Sequence, residues 1–215
     1  METLPELLDA VARDRFLPPD GTVTVLPQLC RRDAGVLAFT AHTLVLTDED
    51  PAWVRAALAA VDCDPLAAPM HPRFLTALMD RTGRTAETVD ALWVGTPLPG
   101  PPVLPLWEVA NAGHPRVVRA RRRRESVRVW AVDGGLLVVG RGVGGRLEVE
   151  GGGAGMGREL AVAVRQLVDK PVWAQVSPGN ARSVRAFLAA GYRPVGAEVL
   201  FSARGGRTGC SGSRS

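Results

Sequence analysis

The sequence predicts a mixed α/β fold, built on a sheet that has both parallel and antiparallel neighbours. Short β-branched and aliphatic segments alternate with amphipathic ones, and glycine pairs separate the segments of the C-terminal half. Hydrophobic residues make up 46% of the sequence and charged residues 22%, which is close to the globular average and excludes a disordered chain. The 215 residues suffice for one large domain or two small ones.

The first hundred residues predict helices that alternate with short strands. Apolar residues at helical spacing mark the helices, β-branched content marks the strands, and Asp50 before Pro51 is typical of a helix start. The predicted elements are helices over 5–16, over 51–61 and from Pro72, with strands over 23–26 and 43–46. The segment 97–105 contains five prolines and a glycine, so we expect a linker or an extended loop there.

After this segment the pattern predicts three antiparallel strands followed by two helix–strand pairs. Asp133-Gly134 and Gly144-Gly145 are turn signals between alternating segments. The predicted strands cover 127–132, 136–139, 146–150, 172–176 and 195–201, and the predicted helices cover 158–169 and 180–190. A glycine-rich stretch over 151–157 joins the third strand to the first helix.

A strand, a run of glycines and a helix start together favour phosphate binding. The first N–H groups of a helix lack intrahelical partners, the helix dipole adds positive potential, and glycine lets an anion approach the backbone. Arg158 adds a cation at the predicted helix start. The sequence has no GxxxxGK[ST] motif, and the GxGxxG match over 140–145 is not followed by a helical pattern, so neither nucleotide motif is supported. A plain glycine hinge stays open as the alternative.

A second motif lies between residues 172 and 196. In this motif a strand is followed by an asparagine. Counted from the asparagine, a small residue lies three positions later, an aromatic residue seven positions later and a Gly-Tyr pair eleven and twelve positions later. Its members are Asn180, Ser183, Phe187, Gly191 and Tyr192. This order resembles the C-terminal half of the GNAT superfamily of acyl-CoA-dependent N-acyltransferases, whose [Q/R]xxGx[G/A] pyrophosphate loop falls on Gly152 to Gly157. The resemblance covers about residues 117–203, under half of the chain.

The resemblance implies a GNAT-like acyltransferase fold with an N-terminal α/β extension, and acetyl-CoA as co-substrate. In that family two parallel strands splay apart and hold the pantetheine arm of CoA between them, and here these strands would be 146–150 and 172–176. Backbone groups of the first strand would meet the pantetheine, the loop amides would hold the pyrophosphate, and the next helix would contact the cofactor. The implied cofactor-binding residues are Leu147, Val149, Gly152, Ala154, Gly155, Met156, Gly157, Arg158, Asn180, Ser183 and Phe187.

Two positions depart from the family pattern. Gly152 stands where the family has Gln or Arg, which removes one side chain from the pyrophosphate site. Phe187 stands where the family often has a tyrosine that protonates the departing CoA thiolate, and phenylalanine cannot donate a proton. A thiolate is a good leaving group near neutral pH, so the missing acid need not abolish activity.

Glu148 and Glu150 are the candidate general bases, because carboxylates on this strand can reach an incoming ammonium group. Their side chains should share one face of the sheet, given the two-residue period of a strand. The alternative is that both are surface charges paired with nearby arginines.

Basic residues are concentrated in one run, at Arg119 and over 121–124. Such a run attracts phosphate, but no aromatic residues are interleaved, so we expect a solvated strand edge and no nucleic-acid partner. No stretch reaches the roughly 18 apolar residues of a membrane-spanning helix, and we expect no membrane partner and no signal peptide. The three histidines lack the spacing of metal ligands, so no metal site is predicted.

The three cysteines lie far apart without a CxxC pair, which favours a reduced cytoplasmic protein without disulfides. The predicted function is transfer of acetyl from acetyl-CoA to a primary amine of a small molecule or peptide, by a monomer or homodimer. A non-catalytic acyl-CoA-binding or regulatory module is the alternative, motivated by Phe187 and Gly152. The predicted segments are an N-terminal α/β module or extension (1–96), a proline-rich linker (97–105), a GNAT-like acyl-CoA-binding domain (106–204) and a disordered tail (205–215).

Overall fold

A computed structural model of the chain describes residues 2–110, 113–153 and 155–203, so the predicted tail lies outside the described residues. The α-helices in these ranges are α1 (Leu4–Ala12), α2 (Pro51–Ala59), α3 (Pro72–Thr82), α4 (Pro115–Arg123), α5 (Gly157–Leu167) and α6 (Ala181–Ala189). The first strands are β1 (Val23–Leu26), β2 (Gly35–Phe39), β3 (His42–Leu46), β4 (Arg84–Ala86), β5 (Asp90–Gly95) and β6 (Trp107–Glu108). The others are β7 (Glu125–Val132), β8 (Gly135–Arg141), β9 (Leu147–Gly153), β10 (Val172–Val176) and β11 (Arg193–Ala203).

The predicted mixed α/β fold is confirmed, and the chain forms two compact units. The first unit contains residues 1–15 and 91–195, and the second contains residues 16–90 and the chain from Gly196. The units divide the chain at positions other than those of the predicted segments 1–96 and 106–204. Separate domains joined at 97–105 stay a prediction.

The sheet of the first unit runs in the order β5, β10, β9, β8, β7, β6. Only β9 and β10 are parallel in this sequence of neighbours, and the other pairs are antiparallel. Leu160 of α5 packs in one core cluster with Leu137 of β8, whereas Val117 of α4 packs in another with Leu136 of the same strand. Successive strand residues point to opposite faces, so α5 and α4 cover opposite sides of this sheet.

Three features of the first unit differ from the sequence prediction. The arginine run lies on helix α4 and its end, so the expected strand edge is wrong. His114 caps this helix by accepting the Arg116 N–H at 3.2 Å. The apolar side of the helix is buried through Val117 and Ala120. Strand β5 was not predicted at all. Strand β9 continues through Gly153, because its glycines pair with β8 and do not form a loop.

The second unit is a smaller sheet packed on two helices. Strand β3 pairs in parallel with β1 and antiparallel with β2, and β11 pairs antiparallel with β2 and β4. Val54 of α2 and Phe74 and Leu78 of α3 are fully buried in its core. Asp50 caps α2 as predicted, accepting the Ala52 N–H at 2.7 Å.

The cysteines differ from the sequence expectation. Cys63 is a free thiol, whereas Cys30 is disulfide-bonded, so the expectation of a chain without disulfides is wrong. Among the described helices, none has both the length and the apolar character that crossing a membrane requires.

Arg165 is a buried cation that ties α5 to its neighbours. Its guanidinium donates to the carbonyl oxygens of Thr96 at 2.6 Å and Ala190 at 2.5 Å, and it lies 5.6 Å from the ring centre of Tyr192. Tyr192 donates its hydroxyl proton to the Ala161 carbonyl at 3.2 Å, and burial raises the pKa of this hydroxyl above its ordinary value. The charge is therefore accommodated by carbonyl groups and an aromatic face.

Replacing Arg165 by methionine should lower the free energy of unfolding by about 3 kcal/mol, because two carbonyl groups lose a charged donor and the aliphatic replacement offers none. Urea denaturation followed by circular dichroism measures the change. Arg182→Met is the matched control, since Arg182 is exposed on α6. Equal stability of the two variants would contradict this account of Arg165.

Candidate functional site

The two parallel strands β9 and β10 separate after a short paired stretch. Leu147 is the partner of Val172 and Glu148 the partner of Trp173, and the ladder between the strands stops there. Strand β9 stays paired with β8 over its whole length, and β10 stays paired with β5 over its whole length. Each strand is thus held at its outer edge while the inner edges diverge. Backbone N–H and C=O groups beyond Glu148 and Trp173 face a gap that an extended ligand can enter.

The separating strands point toward the starts of α5 and α6. Strand β9 ends at Gly153 and α5 begins at Gly157, while β10 ends at Val176 and α6 begins at Ala181. The start of α5 also lies against the body of α6, because a Cβ added at Gly157 would lie 3.2 Å from the Cβ of Ala186. Both helices therefore begin shortly after the diverging ends of the two strands.

The start of α5 has the backbone features of an anion site. Its N-cap residue, Met156, makes no side-chain cap hydrogen bond, so the first N–H groups keep their capacity to bind a ligand. Gly155 has a φ of +80°, which favours glycine, and no atom lies within 4 Å of the position of an added Cβ. Arg158 is exposed and donates to the Ala189 carbonyl at 3.3 Å, while Glu159 adds an opposing charge to the first turn.

The other residues implied by the resemblance fall into three groups. Leu147 and Val149 lie on β9 among the apolar residues that face α5, and Gly152 lies on β9 opposite Leu136. Met156 packs its methyl group over Gly153, where an added Cβ would be 2.8 Å from it. Ala154 lies outside the described residues.

The start of α6 is capped by its own asparagine. The Asn180 side-chain oxygen accepts the Ser183 N–H at 3.1 Å, which leaves the Asn180 amide protons for other partners. Phe187 packs edge-on against Tyr192, with ring centres 4.8 Å apart. Phe187 is therefore part of the packing between α6 and the sheet.

The face of β9 opposite the apolar core carries the two candidate carboxylates. Arg124 donates to Glu148 at 2.9 Å and to Glu150 at 3.5 Å, so the two glutamates share a face as the strand period predicts. Arg124 also donates to the side-chain oxygen of Gln175 on β10 at 3.4 Å. A single guanidinium thus bridges the two strands where they separate.

Glu148 is buried and fully engaged in this network. It is 3% exposed and accepts from Arg146 at 2.9 Å, from Arg124 at 2.9 Å and from the backbone N–H of Val143 at 3.3 Å. Gly142 makes room for the carboxylate, because a Cβ there would overlap it. Burial alone would raise the pKa of Glu148, but the two guanidiniums outweigh it and lower this pKa to about 2.

Glu150 lies on the same face and is more exposed than Glu148. Its carboxylate accepts from Arg116 at 3.2 Å, from Arg119 and, at 3.5 Å, from Arg124. Its side chain keeps 15% exposure, against 4% for Glu148. Both carboxylates are paired with arginines as the alternative sequence interpretation expected, but only Glu150 keeps access to solvent.

Three members of this network were not singled out from the sequence: Arg116, Arg146 and Gln175. One signal was available, because Arg146, Glu148 and Glu150 alternate along one strand and would share a face. Arg124 belongs to the arginine run but could not be placed on this network, since that run was taken for a strand edge. Among the described residues, no group of three or more His, Cys, Asp or Glu side chains is arranged to hold a metal ion.

A separate surface cavity of about 330 Å³ lies in the same unit, away from the gap. Its lining residues are Asp9, Arg13, Thr96, Pro97, Asp169, Lys170 and Pro171. Pro171 immediately precedes β10, so the cavity is at the paired end of that strand and not where the strands diverge.

Comparison with known proteins gives structural likenesses but no match of sequence. No family model matches the chain, and no curated protein matches it at a significant level. A Novosphingobium aromaticivorans protein assigned to the GNAT family as an acetyltransferase is 14% identical over 55% of this chain and 66% of its own, with a TM-score of 0.37. A GCN5-related N-acetyltransferase from Kribbella flavida is 17% identical over 61% of this chain and 64% of its own, with a TM-score of 0.37.

The chain therefore spans just under two thirds of the length of each of these two structures. Structural similarities with a TM-score of 0.37 do not support a conclusion about chemistry. What the site can do follows from the diverging strands, the start of α5 and the charged network alone.

Replacing Glu148 by glutamine should lower the free energy of unfolding at pH 7 by about 3–5 kcal/mol, because it removes a buried carboxylate that pairs with the guanidiniums of Arg124 and Arg146. A pKa lowered from 4.5 to about 2 stabilises the fold above pH 4.5, and this contribution is lost as the pH falls toward 2. The difference between wild type and variant should therefore shrink between pH 5 and pH 2.

Urea denaturation at several pH values measures this difference. Glu108→Gln is the control, since Glu108 forms an exposed ion pair with Arg128 and should change stability little. A Glu148→Gln difference that stays constant down to pH 2 would show that Glu148 is not the charged centre of the network.

Proposed function

We propose that the protein is an acyl-CoA-dependent N-acyltransferase that transfers an acetyl group from acetyl-CoA to a primary amine. The observation that carries the proposal is the divergence of β9 from β10, which are both held at their outer edges. A pantetheine arm is extended and bears amide groups, so it suits a gap lined by backbone N–H and C=O groups. Leu147 and Val149 would supply the β9 side of that contact.

The start of α5 would hold the pyrophosphate of the same ligand. Its N–H groups and its dipole attract anions, the open space at Gly155 admits them, and Arg158 adds a positive charge. Asn180 and Ser183 lie at the start of α6, which follows β10, and we assign them to contact with the arm. The residues present therefore fit the ligand that the sequence motifs imply.

The carboxylate of Glu150 is the group we assign to proton removal. Bound acetyl-CoA supplies a thioester: the amine nitrogen attacks its carbonyl carbon, a C–N bond forms, the C–S bond breaks and the thiolate leaves. The proton lost by the amine passes to Glu150, directly or through water, and solvent protonates the thiolate. Glu148 is not assigned this role, because a carboxylate with a pKa of about 2 is a weak base and its buried ion pairs keep substrates out.

A non-catalytic acyl-CoA-binding module is the second candidate. The observation that favours it is Phe187, which packs against Tyr192 and offers no proton for the departing thiolate. Binding of acetyl-CoA without release of CoA to any amine would favour this module over the enzyme. A small-molecule or peptide acceptor and a monomeric or homodimeric state are proposed with the enzyme and stay predictions from the sequence.

Gly155→Glu should weaken acetyl-CoA binding at least 10-fold, because it places a negative side chain in the open space where the pyrophosphate would bind. Isothermal titration calorimetry with acetyl-CoA measures the affinity. Gly100→Glu is the matched control, since Gly100 also has a positive φ, of +89°, and open surroundings, but lies in the proline-rich segment. Equal affinity of both variants would show that the loop is not the pyrophosphate site.

Glu150→Gln should lower kcat for amine acetylation about 100-fold, because an amide cannot accept the proton. The affinity for acetyl-CoA should stay the same, so calorimetry and CoA release are measured on the same preparation. Glu108→Gln serves as the control for removal of an exposed, paired carboxylate. An unchanged kcat would exclude Glu150 as the base.

A further inference from the structure

The ion pairs around Glu150 indicate what the acceptor carries besides its amine. Arg116, Arg119 and Arg124 all donate to the single carboxylate of Glu150. Arg124 also donates to Glu148, but that carboxylate is already paired with Arg146. On this face of β9 one reachable carboxylate is thus shared by three guanidiniums.

The three guanidiniums differ in how freely a ligand can reach them. The Arg124 side chain is 9% exposed, whereas those of Arg116 and Arg119 are 40% and 56% exposed. Arg116 lies over the backbone of Gly152, where an added Cβ would be 2.7 Å from its Nε atom. Its guanidinium occupies this position beside the diverging strands only because residue 152 has no side chain.

An ammonium group that pairs with Glu150 must take it from these arginines. An amine that has no anionic group leaves Arg116 without its ion-pair partner and offers this guanidinium no other anion. An amine with a carboxylate or phosphate group brings a new partner, which a guanidinium binds through two parallel hydrogen bonds. The exchange then conserves the ion pairs of the site.

We propose that the acceptor is an amine that also carries an anionic group, a carboxylate or a phosphate, and that Arg116 binds this group with Arg119 beside it. The inference rests on the proposed function, since it takes the gap between β9 and β10 as the acyl-CoA site and Glu150 as the base. The amine still forms the C–N bond and gives its proton to Glu150, and the CoA thiolate still leaves. The anion of the acceptor stays ionised and takes no part in the bond changes.

The test compares matched amines that differ only in the anionic group. The pairs are β-alanine with β-alaninamide, γ-aminobutyrate with its amide, and phosphoethanolamine with ethanolamine, each with acetyl-CoA in an assay of CoA release. We expect kcat/KM to be at least 10-fold higher for the anionic member of one pair or more, in keeping with the strength of charge-assisted hydrogen bonds. A preference in the phosphoethanolamine pair alone identifies phosphate, and one in the first two pairs alone identifies carboxylate.

Arg116→Gln should raise KM for the anionic amine at least 10-fold and leave the neutral amine unchanged, so that the preference disappears. Arg116→Lys keeps the charge but cannot donate two parallel hydrogen bonds as a guanidinium does, and should restore part of the preference. Arg121→Gln is the matched control, because Arg121 is exposed on the same helix. Circular dichroism confirms that each variant is folded.

Equal kcat/KM within every pair would overturn the inference, as would an Arg116→Gln variant that slows neutral and anionic amines equally. If acetyl-CoA binds but no amine is acetylated, the anionic amines are titrated into protein loaded with CoA. Binding that Arg116→Gln abolishes supports the inference, whereas absence of binding overturns it and leaves the acyl-CoA site standing. Absence of acetyl-CoA binding to the wild-type protein overturns the proposed function, and this inference with it.

Discussion

The hydrogen-bond ladder between β9 and β10 stops after two residue pairs, and the candidate site depends on this divergence. Each strand is held along its full length by an antiparallel neighbour, β8 on one side and β5 on the other. Antiparallel pairing is the stronger of the two arrangements, so the outer edges determine where the strands run and the parallel edge opens. The open edge leaves peptide groups available in a sheet that is otherwise paired, which is the condition for an extended ligand to bind as an additional strand.

The two faces of the diverging strands have different chemistry, and the two-residue period of β9 produces the difference. Val149 points into the apolar core beneath α5, whereas Glu148 and Glu150 point to the face that α4 covers. On that face Arg124 bridges β9 to Gln175 of β10, so it holds the two strands together across the point where their backbones separate. Glu148 stabilises this arrangement from a buried position, and Glu150 is the carboxylate that a substrate can reach.

Much of the first unit could be predicted because its signals are local. Asp133-Gly134 marked the turn between β7 and β8, where Gly134 has a φ of +74°, and Asn180 marked the start of α6, which it caps. Glycines misled the prediction at the end of β9: Gly151 to Gly153 suggested a loop, but the pairing partners on β8 keep them in the strand. Local propensity gave way there to tertiary pairing.

The charged part of the site could not be predicted, because it depends on elements far apart in the sequence. The arginine run over 121–124 has the composition of a solvated segment, and only the burial of Val117 and Ala120 against the sheet makes its neighbourhood helical. That helix delivers Arg116 and Arg124 to β9, at a separation of more than twenty residues that no sequence pattern encodes. The most direct test of the central claim is a crystal structure of the protein with bound acetyl-CoA. The account predicts the pantetheine arm between Val149 of β9 and Ala174 of β10 with the pyrophosphate at the start of α5, and a ligand bound elsewhere with β9 and β10 unchanged would contradict it.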